Sequence, residues 1–255
     1  MIQVIDLHKY FGESHILKGI STTFEKGKTN LIIGQSGSGK TVFLKSLLGL
    51  FTPEKGQIIY DGREYSQMND NERRDLRQDM GMVFQGSALF DSMTVEENVM
   101  FPLKMFSKQS PEEMQERADF VLDRVNLVNA HKKFPSEISG GMQKRVAIAR
   151  AIANKPKYLF CDEPNSGLDP RTAIVIDDLI KEITEEYNIT TIINTHDMNS
   201  VMQIGEKIVF LKDGYKEWEG TKHVIFKTDN EAVTNFVYSS DLFKKVRRMY
   251  QEEEK

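Results

Sequence analysis

The stretch Gly34-Gln35-Ser36-Gly37-Ser38-Gly39-Lys40-Thr41 decides the fold of this chain. It follows the apolar run 31–33, which is typical of a buried strand, and it precedes 42–48, which has the pattern of a helix. A strand, a glycine-rich turn and a helix in this order form the context of a P-loop. Glycines let backbone N–H groups converge on a phosphate, and the helix N-terminus adds a partial positive charge. The stretch therefore predicts an α/β domain that binds a nucleoside triphosphate.

Two side chains complete this phosphate site. Lys40 has the length to reach the β- and γ-phosphates, and the Thr41 hydroxyl is a ligand for Mg²⁺. The alternative is a glycine-rich turn with a chance lysine, which is disfavoured because all eight positions and both flanks fit. The residues expected to bind the nucleotide are Gly34, Gln35, Ser36, Gly37, Ser38, Gly39, Lys40 and Thr41.

Length and composition limit the class of protein. The chain has 255 residues, enough for one large domain or two small ones, with 39% hydrophobic and 28% charged residues. A formal net charge of −4 does not favour a nucleic-acid partner. Cys161 is the single cysteine, which excludes an intrachain disulfide and a zinc cluster of cysteines.

No targeting or membrane-spanning segment is expected. Residues 1–6 lack the basic and apolar regions of a signal peptide, and no apolar run approaches the ~18 residues of a transmembrane helix. We therefore expect a cytoplasmic protein whose contact with a membrane runs only through partners.

The hydrophobic pattern changes character twice along the chain. Alternating and apolar runs predict strands before residue 85, helical periodicity dominates the middle, and strands and helices alternate again after residue 150. Four parts are expected: residues 1–85 as the first part of an ATP-binding α/β core, 86–150 as an inserted helical subdomain, 151–220 as the second part of the core, and 221–255 as a charged helical extension.

Several local signals add detail. Residues 9–12 are expected to form a turn, and 212–214 the turn of a hairpin. Ser110 followed by Pro111 predicts a capped helix start. One apolar face of that helix is expected to comprise Met114, Ala118, Val121, Leu122 and Val125.

An acidic pair follows the short apolar run 158–161. A carboxylate at the end of a buried strand near a P-loop holds Mg²⁺, usually through water, so Asp162 is a candidate metal ligand. Glu163 is then placed to orient or deprotonate the attacking water. The alternative, an acidic pair facing solvent, is weaker because the P-loop lies in the same chain.

Ser139-Gly140-Gly141 opens another helix and resembles a second phosphate-binding element. The serine is a helix cap, and the glycines expose backbone donors at the positive end of the helix. One nucleotide does not need two such elements from one copy. Two copies arranged head to tail explain them, because each element then covers the γ-phosphate held by the other copy. A plain capped helix is the alternative.

The order of these motifs resembles that of the ATP-binding cassette (ABC) proteins over residues 1 to about 220. The family implies an α/β P-loop NTPase fold of ABC type, with a mixed sheet core, an N-terminal antiparallel β region and an inserted helical subdomain. It also implies ATP hydrolysis with Mg²⁺ by a homodimer that powers multi-span permease subunits. Matching positions imply further roles: adenine stacking for Tyr10, sensing of Mg²⁺ and water for Gln85, signature contacts for Ser139, Gly140, Gly141 and Gln143, communication across the dimer for Asp169, and γ-phosphate contact for His196.

The chain departs from the family pattern in small ways. Ile138 stands where leucine is usual, Asn165 replaces a commoner threonine, and Asn194-Thr195 replaces a commoner serine pattern. None of these changes removes a group that handles phosphate, metal or water. We therefore expect catalytic roles for Lys40, Gln85, Glu163 and His196, and metal ligation by Thr41, Gln85 and Asp162.

A partner helix is expected to dock beside Gln85, on the segment 86–102. Leu89, Phe90, Met93 and Met105 either line a groove for it or belong to the core of the helical subdomain, and the sequence leaves both open.

The segments 84–99 and 140–147 are most similar to the ATPases of phospholipid-trafficking systems that work with MCE-domain proteins. This resemblance implies a location on the inner membrane and an MCE-domain lipid-binding partner. An ABC ATPase for another solute, or one acting on cell-envelope or nucleic-acid machinery, is the alternative. The basic cluster 244–248 fits a solvated helix slightly better than a contact with a second copy or a membrane.

Overall fold

The computed structural model describes residues 1–238, so the basic cluster 244–248 lies outside the described residues. In chain order the strands are β1 Ile2–Phe11, β2 Ser14–Phe24, β3 Thr29–Ile33, β4 Lys55–Tyr60, β5 Arg63–Glu64, β6 Met80–Val83, β7 Tyr158–Asp162, β8 Thr190–Thr195, β9 Lys207–Lys212 and β10 Tyr215–Gly220. The α-helices are α1 Lys40–Leu47, α2 Asp70–Gln78, α3 Val95–Phe106, α4 Pro111–Arg124, α5 Gly140–Ile152, α6 Pro170–Glu186, α7 Met198–Ile204 and α8 Glu231–Val237.

A six-stranded sheet forms the centre of the molecule, in the order β10-β9-β3-β8-β7-β6. Adjacent strands from β9 to β6 run parallel to one another, and β10 is antiparallel to β9. The carboxyl ends of β3, β7 and β8 therefore lie side by side at one edge, which is where ligands bind in sheets of this kind. The P-loop, the acidic pair and His196 directly follow these three strands.

A second, antiparallel sheet has the order β2-β1-β4-β5. Helix α1 packs between the two sheets, because Phe43, Leu44 and Leu47 share one buried cluster with Phe24 of β2 and Ile192 of β8. Burial of this size anchors the helix that follows the P-loop. The predicted mixed core with an N-terminal antiparallel β region is confirmed.

Helices α3, α4 and α5 lie between β6 and β7 in the sequence, although these two strands are neighbours in the central sheet. The predicted cap of α4 is confirmed, since Glu113 N donates to Ser110 Oγ at 3.2 Å. So is its apolar face: Met114 is partly buried against the core that contains the other four residues, Ala118, Val121, Leu122 and Val125.

Two predictions of local structure need correction. The turn expected at 9–12 is strand up to Phe11, because Tyr10 pairs with His15 and Phe11 with Ser14, which leaves only the two residues 12–13 for the turn. Beyond residue 220, the described part is helical only in α8, and turns and loop precede it. The hairpin turn at 212–214 is confirmed, with φ of +50° at Asp213 and +84° at Gly214.

Among the described residues, none of the helices is long and apolar enough to cross a bilayer.

Candidate functional site

The P-loop is a tight turn that only glycine permits at key positions. At Gly34, φ is +150° and an added Cβ would lie 2.2 Å from the carbonyl oxygen of Leu211. The hairpin turn between β9 and β10 supports the loop from behind, because Gly214 N donates to Ser38 O at 3.3 Å. The loop is thus held against the central sheet in one conformation.

Lys40 lies folded back over this loop. Its Nζ donates to the carbonyl oxygens of Gly34 at 2.8 Å and Gln35 at 3.1 Å. Burial lowers the pKa of Lys40, while the charges of Glu163 and Asp162 raise it. The amine is therefore held beside the loop without an ion-pair partner within hydrogen-bond distance among the described residues.

The loop fits a triphosphate. Ser38 Oγ is buried and has no hydrogen-bond partner in the described part of the chain, so it is a polar atom that a bound phosphate would satisfy. The Cα of Gly37 faces open space, where a side chain would block the approach of a ligand to the backbone.

The acidic pair lies where β7 ends. Asp162 Oδ1 accepts a hydrogen bond from Asn194 Nδ2 at 3.1 Å, which fixes one of its oxygens and leaves the other for a ligand. Glu163 has φ of +49°, a conformation that costs a non-glycine residue roughly 1–2 kcal/mol. Such strain is concentrated at functional positions.

Glu163 Oε1 lies 2.8 Å from Nδ1 of His196. The glutamate side chain is 13% exposed and the histidine side chain 66% exposed, so the pair reaches from the sheet edge towards solvent. The imidazole therefore holds the carboxylate in one orientation while its other face stays accessible.

A cavity of about 780 Å³ gathers half of the predicted site residues. It is lined by Gln35, Ser36, Gly37, Gly39, Lys40 and Thr41 of the P-loop region, together with Gln85, Glu163 and His196. Three segments far apart in sequence thus meet over the P-loop, as the order of the sheet requires.

Gln85 is linked to the loop that follows Glu163. Its Nε2 donates to Ser166 Oγ at 3.3 Å, and its backbone oxygen accepts from Nζ of Lys144 on α5. The sequence reasoning missed Lys144, a buried lysine whose pKa is lowered by burial. Nothing local marks it as buried, because it lies between Gln143 and Arg145 in the polar first part of α5.

Other predicted residues lie outside this cavity. Tyr10 stacks on His15, with ring centroids 4.0 Å apart. Ser139 caps α5, since its Oγ accepts from Met142 N at 3.3 Å, and Gln143 Nε2 donates to Pro135 O at 2.9 Å. Asp169 caps α6 and accepts from Arg171 N and Thr172 N, both at 3.1 Å. Ser139, Gly140 and Gly141 do not line the cavity of their own chain.

Three further residues line the cavity and were not predicted to belong to the site: Ile16 of β2, Val42 of α1 and Phe236 of α8. The Phe236 ring packs on Phe210 of β9, with centroids 5.2 Å apart. Nothing in the sequence marks Phe236, because its contact with Phe210 depends on where α8 packs against β9.

The chain was compared with known families and proteins. A family model described as ABC transporter matches residues 17–166. A probable ribonucleotide transport ATP-binding protein, mkl, of Mycobacterium tuberculosis is 37% identical over 239 residues, 92% of this chain and 66% of the relative. This chain therefore spans slightly less than two thirds of that relative. The chloroplastic protein TRIGALACTOSYLDIACYLGLYCEROL 3 of Arabidopsis thaliana is 36% identical over 257 residues, 94% of this chain and 74% of the relative.

A solved structure has the same architecture. It is a dimeric, post-hydrolysis state of the ATP-binding cassette MJ0796 bound to ADP and Pi, with a TM-score of 0.78 and 35% identity. The alignment covers 87% of this chain and 99% of that one.

Proposed function

This chain belongs to the ABC transporter family, and from this premise we propose that it hydrolyses ATP to drive a membrane transporter whose cargo is phospholipid. The observation that carries the ATPase part is the cavity in which Gln85, Glu163 and His196 face the P-loop. A nucleoside triphosphate there has a phosphate cradle on one side and groups that handle water on the other.

The binding roles follow from the geometry. ATP binds at the P-loop with Mg²⁺, which neutralises charge on the phosphates when bound and would be held by Thr41, Gln85 and Asp162. Lys40 exchanges its two carbonyl partners for phosphate oxygens, which is a stronger, charge-assisted interaction. Tyr10 supplies a ring face for adenine.

Glu163 acts as the general base. Its carboxylate takes a proton from the attacking water, and the hydrogen bond from His196 keeps the accepting oxygen in place. Gln85 orients that water, and its bond to Ser166 couples it to the loop that ends at Asp169.

Two copies form the complete site. ABC cassettes form dimers, and the MJ0796 structure is one. Because Ser139 lies outside its own chain's cavity, we assign it, with Gly140, Gly141 and Gln143, to the nucleotide held by the other copy. Twofold symmetry then repeats the same contact at both nucleotides.

ABC cassettes work with permease subunits, and an apolar groove offers the docking place. The groove has a volume of about 330 Å³ and lies between β6, α3 and α5. Its lining includes Phe84, Phe90 and Phe106, each partly exposed, which suits an apolar helix of the permease. Phe84 directly precedes Gln85, so a permease helix that displaces Phe84 also displaces a residue of the catalytic cavity.

The four residues predicted either to line the docking groove or to belong to the core lie in different places. Phe90 lines the groove. Leu89 packs against the main core, and Met93 is half-buried. Met105 of α3 is 56% exposed and lies outside the groove, so it offers a control position for Phe90.

The cargo is the finer part of the proposal. It rests on the resemblance of residues 84–99 and 140–147 to phospholipid-trafficking ATPases, and the name of the Arabidopsis relative supports a lipid. The name of the mycobacterial relative favours a second candidate, a ribonucleotide. With a lipid cargo, the chain works on the cytoplasmic side of the inner membrane, with a permease and an MCE-domain protein as partners.

Affinity purification from membranes tests the proposal. The tagged chain is expected to recover a multi-span permease and an MCE-domain protein, and phospholipid is expected to stimulate ATPase activity in the recovered complex. Phe90→Lys is expected to lose the permease, whereas Met105→Lys retains it. Stimulation by ribonucleotides and not by phospholipid would replace the lipid with the second candidate.

A further inference from the structure

Asp177 of α6 is a buried carboxyl that the catalytic site does not use directly. It is 2% exposed. Asn165 Nδ2 donates to Asp177 Oδ2 at 3.3 Å and to Ser200 Oγ at 2.8 Å. The other carboxyl oxygen, Oδ1, is buried without a hydrogen-bond partner in the described part of the chain. A buried acid with an unsatisfied oxygen destabilises a fold, so its presence calls for a reason.

Two residues of this cluster, Asn165 and Ser200, lie on the segments that carry the catalytic pair. Asn165 is two residues beyond Glu163, and it precedes Ser166, the partner of Gln85. Ser200 lies on α7, which begins two residues after His196. The cluster therefore ties the loop behind the proposed base to the helix behind the histidine that holds it.

We propose that Asp177 is a positioning residue for ATP hydrolysis, which fixes Asn165 against Ser200 and so holds Glu163, His196 and Gln85 in register. It touches no nucleotide and acts only through Asn165 and Ser200. This role also explains Asn165, because its amide donates to two acceptors at once, which a threonine hydroxyl cannot do. The inference rests on the proposed ATPase activity and is independent of the cargo.

The charge of the cluster gives the inference a signature. Burial raises the pKa of Asp177 to about 6, while the nearby Ser200 hydroxyl and Asn165 amide lower it. The charged groups that act on it are Asp197 at the start of α7 and Asp178 on α6, both of which raise the pKa. From β7 it faces the Cys161 thiol, whose pKa is raised by burial and by this carboxyl.

The sign of the effect on stability follows. A carboxyl whose pKa is raised by folding binds its proton more tightly in the folded state, so it stabilises the fold at low pH. This contribution is lost as pH rises through about 6. The ionised form accepts hydrogen bonds more strongly, so the geometry needed for hydrolysis is expected above that pH. At neutral pH the ionised Asp177 therefore lowers the stability of the fold but holds Asn165 more firmly in place.

Substitution of Asp177 tests this inference in the full-length chain. Asp177→Asn is expected to lower kcat about ten-fold, with a change in KM for ATP below about two-fold, as partners of catalytic groups do. Thermal stability at pH 7.5 is expected to stay equal or rise. In the wild type, kcat is expected to decline below about pH 6, where Asp177 becomes protonated. The part of this decline that is due to Asp177 is expected to be absent from Asp177→Asn. If Asp177 had only a structural role, the variant would lose stability and activity together.

Matched variants separate the outcomes. Glu185→Gln makes the same chemical change at an exposed position of α6 and is expected to leave kcat and its pH profile unaltered. Ser200→Ala, which keeps Asp177, is expected to lower kcat in the same direction and stands in if Asp177→Asn fails to fold. If Asp177→Asn, or Ser200→Ala in its place, keeps the kcat and the pH profile of the wild type, this inference is overturned and the proposed ATPase activity stands. A wild-type chain that binds ATP but never hydrolyses it, with partners present, overturns the proposed ATPase and this inference with it.

Discussion

The Nδ1 atom of His196 lies 2.8 Å from Oε1 of Glu163, although the two residues follow different strands of the central sheet. A parallel pairing of β7 with β8 brings the two strand ends together, so the contact follows from topology. The glutamate is held by a hydrogen bond and by a strained backbone before any nucleotide is present.

Glu163→Gln is expected to abolish hydrolysis while ATP binding remains. An amide has nearly the shape of a carboxylate but accepts no proton, so kcat is expected to fall about 100-fold or more. Steady-state phosphate release measures the rate, and gel filtration with ATP is expected to show a trapped dimer. Glu185→Gln serves as the control. Hydrolysis near the wild-type rate would remove Glu163 from the role of base.

Ser139→Arg is expected to stop hydrolysis without weakening ATP binding to the isolated chain, because Ser139 meets the nucleotide of the other copy. The substitution also removes a helix cap, which costs about 1 kcal/mol. Ser110→Arg removes the equivalent cap of α4 and controls for that loss. Equal activity in the two variants would argue against assembly across the dimer.

Phe236→Ala is expected to raise KM for ATP about five-fold, equivalent to ~1 kcal/mol of lost contact, with kcat little changed. The ring lines the cavity and packs on Phe210, so its loss loosens α8 beside the P-loop. Phe120→Ala, at an exposed phenylalanine of α4 far from the site in sequence, is the control. Binding of a fluorescent ATP analogue distinguishes an effect on affinity from one on assembly.

How much of this was predictable depends on the range of the signal. The P-loop, the acidic pair and the hairpin turn were predicted because glycine, proline and strand-end patterns act within a few residues. The strand at Tyr10 was mistaken for a turn because its pairing with His15 outweighs the local composition. Phe236, Lys144 and Asp177 were missed because their roles depend on partners at least 12 residues away.

Gly34→Ala is expected to weaken ATP binding at least ten-fold. The new Cβ would lie 2.8 Å from Ser38 Oγ and 2.2 Å from Leu211 O, a backbone atom that cannot move without disturbing β9. The left-handed backbone adds roughly 1–2 kcal/mol of strain. Isothermal titration with ATP and Mg²⁺ measures the affinity, and far-UV circular dichroism checks that the fold persists. Gly86→Ala is the matched control, because its Cβ meets nothing within 4 Å and its backbone is not left-handed. Unaltered affinity in Gly34→Ala would mean that the loop adapts, and that the conformation described for residues 34–41 is not required for phosphate binding.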